Sequence, residues 1–444
     1  MTKVWKKALA VLLVACLTFA LPVSAASQPL SVRDELDAAQ QLAAAIRAGK
    51  DGITIQVPSG FDFNLCYEYA RMIYPDYYGI TWQVRTQVSK ISVDMAQPQQ
   101  HQQAIKEAKR VAGQMMAAGL SERELLRAFH DYLIQNCTYD YNTFLNMNIA
   151  SPEPFSAYGA LLGGKAVCDG YSAAFAMLCA AADIPCIYIG SDELNHSWNA
   201  VFTDGQVLFV DVTYDDKDDP NGATSYENFL RTRKEFLSTH KGWDPTLCDA
   251  MTAYLWPENY ASARTLYRLG LFRGSDKGFE LDRQPRRDEA AVMLTRFLGL
   301  EDEALDAQGL VLPFSDVSDF YKPYIAFLYD SGLTTGTSAR TYSPSTSVTA
   351  QQYMTFMLRG LGYSDAAGDF SWSSALQKAV ELGILTTADM QYIQSRTFDR
   401  GMMAFVSVKV LTAVTKQGTP LYQQLIGRGA LTQKLAEEVL EISP

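Results

Sequence analysis

The run Val167-Cys168-Asp169-Gly170-Tyr171-Ser172-Ala173-Ala174-Phe175-Ala176-Met177-Leu178-Cys179-Ala180-Ala181 sets a cysteine at the head of an apolar segment with helical spacing. Ala173, Ala174, Met177, Leu178 and Ala181 recur at three and four residues, the stripe that a helix buries. Cys168 is therefore expected at a helix N-terminus, where unpaired backbone N–H groups and the positive end of the dipole favour a thiolate. Two strand-like runs come next, Asn195-His196-Ser197-Trp198-Asn199-Ala200-Val201 and Val207-Leu208-Phe209-Val210-Asp211-Val212. Adjacent antiparallel strands set His196 beside Asp211, and the helix end brings Cys168 to the other imidazole nitrogen. These are the parts of an acyl-transfer site working through sulfur.

Taken singly, each residue has a plainer reading. A cysteine before an apolar helix is often core filling, and a lone strand histidine is often structural. The combination and its surroundings point the other way. The segment SAYGALLGGKAVCDGYSAAFAMLCAAADIPC, with NHSWNAV and VLFVDVTYDD after it, NCTYDY upstream and YENFLRTRKEFLSTH downstream, resembles the transglutaminase-like superfamily, whose fold is related to papain. The resemblance runs from about Ser121 to His240. It implies a cysteine protease or acyltransferase with Cys168 as nucleophile, His196 as base and Asp211 as the group that orients the base. Neither cofactor nor metal is part of that chemistry. The backbone N–H of Cys168 is a natural first oxyanion donor, and the second donor is left open.

The chain of 444 residues suits about three domains by size. Hydrophobic residues at 48% and charged ones at 20% describe globular units with full cores. A net charge of −11 without a dense Lys/Arg patch disfavours nucleic acid as a partner. Residues 1–25 read as a secretory signal peptide: Lys3, Lys6 and Lys7, an apolar run from Ala8 to Ala20, then Val23-Ser24-Ala25 as a cleavage site. Export is expected, with no transmembrane span in the mature chain. A competing detail is Leu13-Val14-Ala15-Cys16, which resembles a bacterial lipoprotein box and ranks second. Of the remaining cysteines, Cys66, Cys137, Cys179, Cys186 and Cys248 cannot all pair if Cys168 is free, and their spacing does not suggest zinc. Burial is the expected role of Cys179, on the helix, and Cys186, on the following turn.

Along the chain, residues 26–120 form an α/β extension with strand signals at Ile53–Val57 and across Thr81–Val93. The transglutaminase-like unit, 121–250, opens on Ser121 and Glu124, a capping-box pair, ahead of the apolar face Leu126, Phe129 and Leu133. His130 on that helix is read as surface or core decoration rather than a ligand. The acidic loop Asp215, Asp216, Asp218, Asp219 reads as a solvated turn rather than a calcium site, since its spacing is not that of an EF-hand.

Residues 256–415 repeat a plan of helix, glycine turn, irregular loop and second helix, with turn glycines at Gly270, Gly332 and Gly383. These stretches, with FSDVSDFYKPYIAFLYDSG as the clearest, resemble S-layer homology repeats, which form a three-fold helical wall-binding module. The resemblance implies a secondary cell-wall polysaccharide as partner, met by an arginine at the start of each second helix. Arg287 and Arg400 hold that place in the first and third repeats, while Ala350 stands there in the second. A guanidinium pairs bidentately with a carboxylate, although an arginine at a helix start is by default a solvated charge. Residues 416–444 read as a helical tail.

The expected fold class is α+β: a transglutaminase-like, papain-related catalytic domain between an α/β extension and an all-α repeat module. The expected function is an exported enzyme held at a Gram-positive type cell wall or surface, acting on a protein or peptide amide. Hydrolysis is favoured over transfer because an open site faces water at high concentration. The alternative is a non-catalytic, wall-binding structural protein that uses the triad fold as a scaffold.

Overall fold

The computed structural model describes residues 29–440 and 442, apart from 48–49, 51, 75–79, 86–87, 94–97, 147–150, 218–223 and 276–277. The expected leader, with Cys16, lies outside the described residues, as do Asp218 and Asp219.

The N-terminal unit runs β1 (Leu30–Ser31), α1 (Glu35–Arg47), β2 (Gly52–Gln56), α2 (Phe63–Ile73), β3 (Ile80–Arg85) and β4 (Val88–Val93), with sheet order β1-β2-β4-β3. In the alternating stretch, β3 and β4 pair antiparallel, Ile80 with Val93 and Arg85 with Val88. Asp62 caps α2 by accepting from the backbone N–H groups of Asn64 and Leu65. This unit packs directly on the middle one. Met72 of α2 is buried in one cluster with Ile187, Ile189 and Trp198 of the central sheet.

The middle unit continues with α3 (Pro98–Ala117), α4 (Glu122–Asn136), β5 (Thr138–Tyr139), α5 (Tyr141–Asn146), β6 (Lys165–Ala166), α6 (Cys168–Ala181), β7 (Cys186–Ser191), β8 (His196–Thr203), β9 (Gln206–Val210), α7 (Val212–Asp215), α8 (Arg233–Thr239) and α9 (Thr246–Leu255). Ser121 and Glu124 close a reciprocal capping box on α4, worth about 1 kcal/mol over an uncapped start. Strands β7, β8 and β9 form an antiparallel sheet in that order, with Ser191 opposite His196 and Thr203 opposite Gln206. Every residue of β8 is buried, because both faces of the sheet are covered. On one face Val201, Leu208 and Val210 join Phe129 of α4 and Phe175 of α6. On the other, Trp198, Ala200 and Phe209 join Phe236 of α8 and Trp243. Phe236 is fully buried there, so its truncation to alanine would cost about 3–5 kcal/mol.

The C-terminal module comprises α10 (Tyr260–Arg268), α11 (Arg287–Phe297), α12 (Glu301–Asp306), α13 (Lys322–Asp330), α14 (Ala350–Gly360), α15 (Ala375–Glu381), α16 (Thr387–Gln394), α17 (Arg400–Leu411), α18 (Leu421–Gly427) and α19 (Gln433–Leu440). One apolar cluster extends from Ala263 to Leu431. Gly270, Gly332 and Gly383 come after α10, α13 and α15 with φ of +73°, +70° and +70°, a left-handed helix exit that glycine adopts without strain. The third repeat departs from the expected plan. Its connecting stretch is not irregular but carries α16, capped by Thr386 and Asp389. The tail packs more widely than against the last repeat. Leu421 and Leu425 of α18 enter the repeat core, whereas on α19 Glu438 pairs with Arg268 of α10 and Lys434 donates to the Gly119 carbonyl at 2.6 Å. Among the described residues no helix is long and apolar enough to cross a membrane.

Candidate active site

Cys168 is the first residue of α6, and Gly170 explains how that helix start is seated. A Cβ at position 170 would lie 2.6 Å from the Pro154 carbonyl and 2.8 Å from the Ala166 Cβ, so only glycine lets the first turn approach this loop. The parallel pair β5–β6 brings a second group to the same place. Tyr139 pairs with Ala166, which sets its phenol beside Cys168. Burial first, then the sulfur beside it, raise Tyr139, so its phenol stays protonated at neutral pH.

His196 opens β8, and Asp211 stands directly after β9. The strand ends two residues earlier than the run Val207–Val212 suggests: Val212 begins α7, and Asp211 is its N-cap, with Oδ1 accepting from the Tyr214 N–H at 3.0 Å. Oδ2 of Asp211 accepts from His196 Nε2 at 2.7 Å. That leaves Nδ1 of His196 as the other ring nitrogen, and Cys168 lies close enough to the ring to help raise its pKa. The structure therefore brings Cys168, His196 and Asp211 together. Burial alone would lower His196, but the Asp211 carboxylate outweighs it and pushes the imidazole up to about 10. Burial would likewise raise Asp211, yet His196 and then His240 draw it down to about 2. At neutral pH the pair is imidazolium and carboxylate.

His240 is a member of this site that the sequence reading passed over. Its Nε2 lies 2.9 Å from the same Oδ2, and its Nδ1 lies 2.9 Å from the Thr239 hydroxyl. It is wholly buried, stacked on Phe236 with ring centres 3.7 Å apart. Tyr214 stacks on His196 at 4.2 Å and covers its outer face. His196, Asp211 and His240 could in principle ligate a cation, since their ligand atoms lie within 4.8 Å of one another. The geometry is that of hydrogen bonds instead, because both imidazoles direct Nε2 at a single carboxylate oxygen, which fixes them as donors. A histidine following the amphipathic run of α8 carried no distinctive pattern. Only the downstream end of the resemblance, at His240, touched it.

Of the nearby residues, His130 falls in the core, one of the two places read for it, while the acidic loop departs from its reading. His130 is fully buried between two carboxylates, Asp131 Oδ1 at 3.0 Å and Asp215 Oδ2 at 3.2 Å. Asp215 is neither solvated nor open to calcium. It is wholly buried and accepts from Ser225, His130 and both the backbone and side-chain N–H groups of Asn228. Asp216 accepts from the Tyr171 hydroxyl at 2.6 Å. Asp215 and Asp216 thus pin the segment after Asp211 instead of forming part of a free acidic turn. Cys186 opens β7 rather than sitting on a turn, and the six described cysteines are unpaired.

Arg287 and Arg400 are not the solvated charges that a helix start presents by default. Both are buried. Nη2 of Arg287 donates to the Thr335 carbonyl at 2.6 Å, with its guanidinium 4.6 Å from the Tyr342 ring centre. Nε of Arg400 donates to the Phe279 carbonyl at 3.0 Å, with its guanidinium 4.9 Å from the Phe272 ring centre. Each helix start also docks on a neighbouring repeat through its backbone, Arg287 N–H to Thr346 O and Arg400 N–H to Arg283 O, both at 2.9 Å.

Residues 109–213 match the family model described as Transglutaminase-like superfamily, and residues 313–353 match that of the S-layer homology domain. The chain carries a transglutaminase-like domain of α+β fold followed by an S-layer homology domain. An endoglucanase of Bacillus sp. (strain KSM-635) is 33% identical over 114 residues, 23% of this chain and 12% of that protein. A cell surface protein of Thermoanaerobacter kivui is 27% identical over 184 residues, 40% of this chain and 23% of that protein. The chain thus spans less than a quarter of the length of either relative. A solved structure described as "Crystal structure of a TGase" aligns at 14% identity over 48% of this chain and 64% of its own, with a TM-score of 0.23, at which no equivalence is drawn.

Proposed function

We propose that the chain is a surface-held, cysteine-dependent acyl-transfer enzyme acting on protein or peptide amides. The observation that carries this reading is the meeting of Cys168, at the start of α6, with an imidazole whose far nitrogen is bound to a buried carboxylate 2.7 Å away. In this reading Sγ of Cys168 attacks the amide carbonyl, forming a C–S bond. The oxyanion is met by the Cys168 backbone N–H and the Tyr139 hydroxyl. His196 passes its proton to the departing nitrogen as the C–N bond breaks, leaving a thioester and a free amine. Water or a second amine then attacks the thioester, gives a proton to His196, and releases acid or new amide as the C–S bond breaks, leaving Sγ as the thiolate beside the imidazolium. Asp211 holds the ring in one tautomer throughout, and His240 holds Asp211.

The S-layer homology domain supports attachment to cell-wall polysaccharide, with Arg287 and Arg400 as the cations that meet it. The likeness to a cell surface protein agrees with that placement. Incubating the full chain with glutamine- and asparagine-containing peptides, with and without hydroxylamine, tests the chemistry. Conversion of the amide to the free acid, or peptide cleavage, without hydroxylamine marks hydrolysis, and hydroxamate formation in its presence marks transfer. If neither occurs, or if both persist in Cys168→Ala, the enzymatic reading is wrong.

A further inference from the structure

The residue after the cysteine, Asp169, brings a carboxylate into the first turn of α6. A helix N-terminus accommodates such a charge, but a thiolate one residue away does not. The groups that face Cys168 from other elements are Tyr139 on β5, His196 on β8 and Tyr214 on α7, with Asp211 behind the imidazole. None of these is bonded to Asp169. Its partners come from elsewhere. Arg71, on α2 of the N-terminal unit, donates through Nη2 to Asp169 Oδ1 at 3.1 Å and to the Tyr188 hydroxyl at 2.7 Å. The Tyr188 hydroxyl in turn donates to the Asp169 carboxylate. The guanidinium carbon lies 4.8 Å from the centre of the Tyr188 ring. Three elements, α2, α6 and β7, therefore close one cluster around the carboxylate.

We propose that Arg71 is a positioning residue for the nucleophile: the N-terminal unit supplies the cation that holds Asp169 against Tyr188 and offsets its charge beside Cys168. This rests on the reading of Cys168 as the attacking thiol. It gives the N-terminal unit a part in the chemistry, because the active-site helix lacks its own cation here. Burial would lower the Arg71 guanidinium, but Tyr188 and Asp169 outweigh burial and raise it, so the charge is permanent. Met72, the next residue on α2, is buried with Ile187 and Ile189, and this packing fixes the helix against the sheet that carries Tyr188.

The test is the rate of Cys168 alkylation by iodoacetamide at pH 7 in the full chain, followed by peptide mass, with a melting curve for each variant. Arg71→Ala leaves the carboxylate uncompensated and should slow the reaction about tenfold. Adding Asp169→Asn to that variant should restore most of the rate, and Arg71→Lys, which keeps a cation, should recover part of it. A role for Arg71 as a mere clamp between units predicts no recovery on Asp169→Asn, and that result overturns the inference. So does an Arg71→Ala variant that reacts at the full rate. If Arg71→Ala does not fold, Asp169→Asn alone decides: a faster thiol supports the proposal and a slower one overturns it. A thiol that is inert in the unaltered chain overturns the enzymatic reading itself, and this inference with it.

Discussion

Asp211→Asn probes the site where its parts are most tightly joined. Asp211 is wholly buried, with Oδ2 accepting from His196 at 2.7 Å and His240 at 2.9 Å, and Oδ1 from the Tyr214 N–H at 3.0 Å. Asparagine keeps one oxygen, which suffices for the α7 cap, and presents an NH2 group to two imidazoles that had been donors. Each charge-assisted hydrogen bond is worth about 1.5–3 kcal/mol. Removing a buried carboxylate also removes its desolvation penalty, which offsets part of the loss. The variant should therefore fold with a net loss of about 1–3 kcal/mol. Catalysis should suffer far more. Without the carboxylate, the influence that raises His196 to about 10 lapses, and nothing fixes its tautomer. Turnover should fall about a thousand- to ten-thousandfold. Steady-state kcat on a peptide amide, read beside a thermal melt, measures both. A kcat within about tenfold of the unaltered chain, or a loss of activity that merely tracks unfolding, would refute the reasoning.

Four further outcomes are expected. The imidazolium of His196 is present below about 10, so amine expulsion should hold through neutral pH and fall as pH rises through about 10; an alkaline limb near 7 in the kcat profile would contradict this. For stability the signs are opposite for the two partners. His196, raised from 6.5, contributes fully below that value and loses its contribution as pH rises through about 10, while Asp211, lowered from 3.8, contributes above that value and loses it as pH falls through about 2. Urea melts of His196→Ala and the unaltered chain across pH should converge towards alkaline pH. Tyr139→Phe removes the hydroxyl beside Cys168 and should lower kcat about a hundredfold with little change in KM, if that group meets the oxyanion. In the repeat module, Arg287→Ala and Arg400→Ala should each weaken sedimentation with purified wall polysaccharide about tenfold, and unchanged binding in both would remove the arginines from the contact.

Much of the site was legible because its chemistry obeys local patterns. The apolar stripe behind Cys168 marked α6, and the alternation around His196 marked β8. The parts that escaped depend on contacts that no local pattern encodes. His240 reaches Asp211 across 29 residues of chain, and Arg71 reaches Asp169 across 98. The acidic run after Asp211 looked like surface because charge dominates composition there. Burial of Asp215 is made possible by Asn228 and His130, which lie 13 and 85 residues away. The arginines of the repeats misled in the same sense. Their burial under Tyr342 and Phe272 comes from rings outside the helices that bear them. In the third repeat, α16 was missed because Thr386 and Asp389 cap a run with only a weak apolar face.

The central claim is that Cys168 forms a covalent acyl intermediate, and intact-protein mass spectrometry under acid quench tests it most directly. Mixed with an activated ester or a glutamine peptide, the full chain should gain one acyl mass, mapped to the peptide bearing Cys168 and released by hydroxylamine. The adduct should be absent in Cys168→Ala and should accumulate slowly in His196→Ala. An adduct on Cys66, Cys137 or Cys179 instead, or turnover that survives Cys168→Ala, would contradict the account.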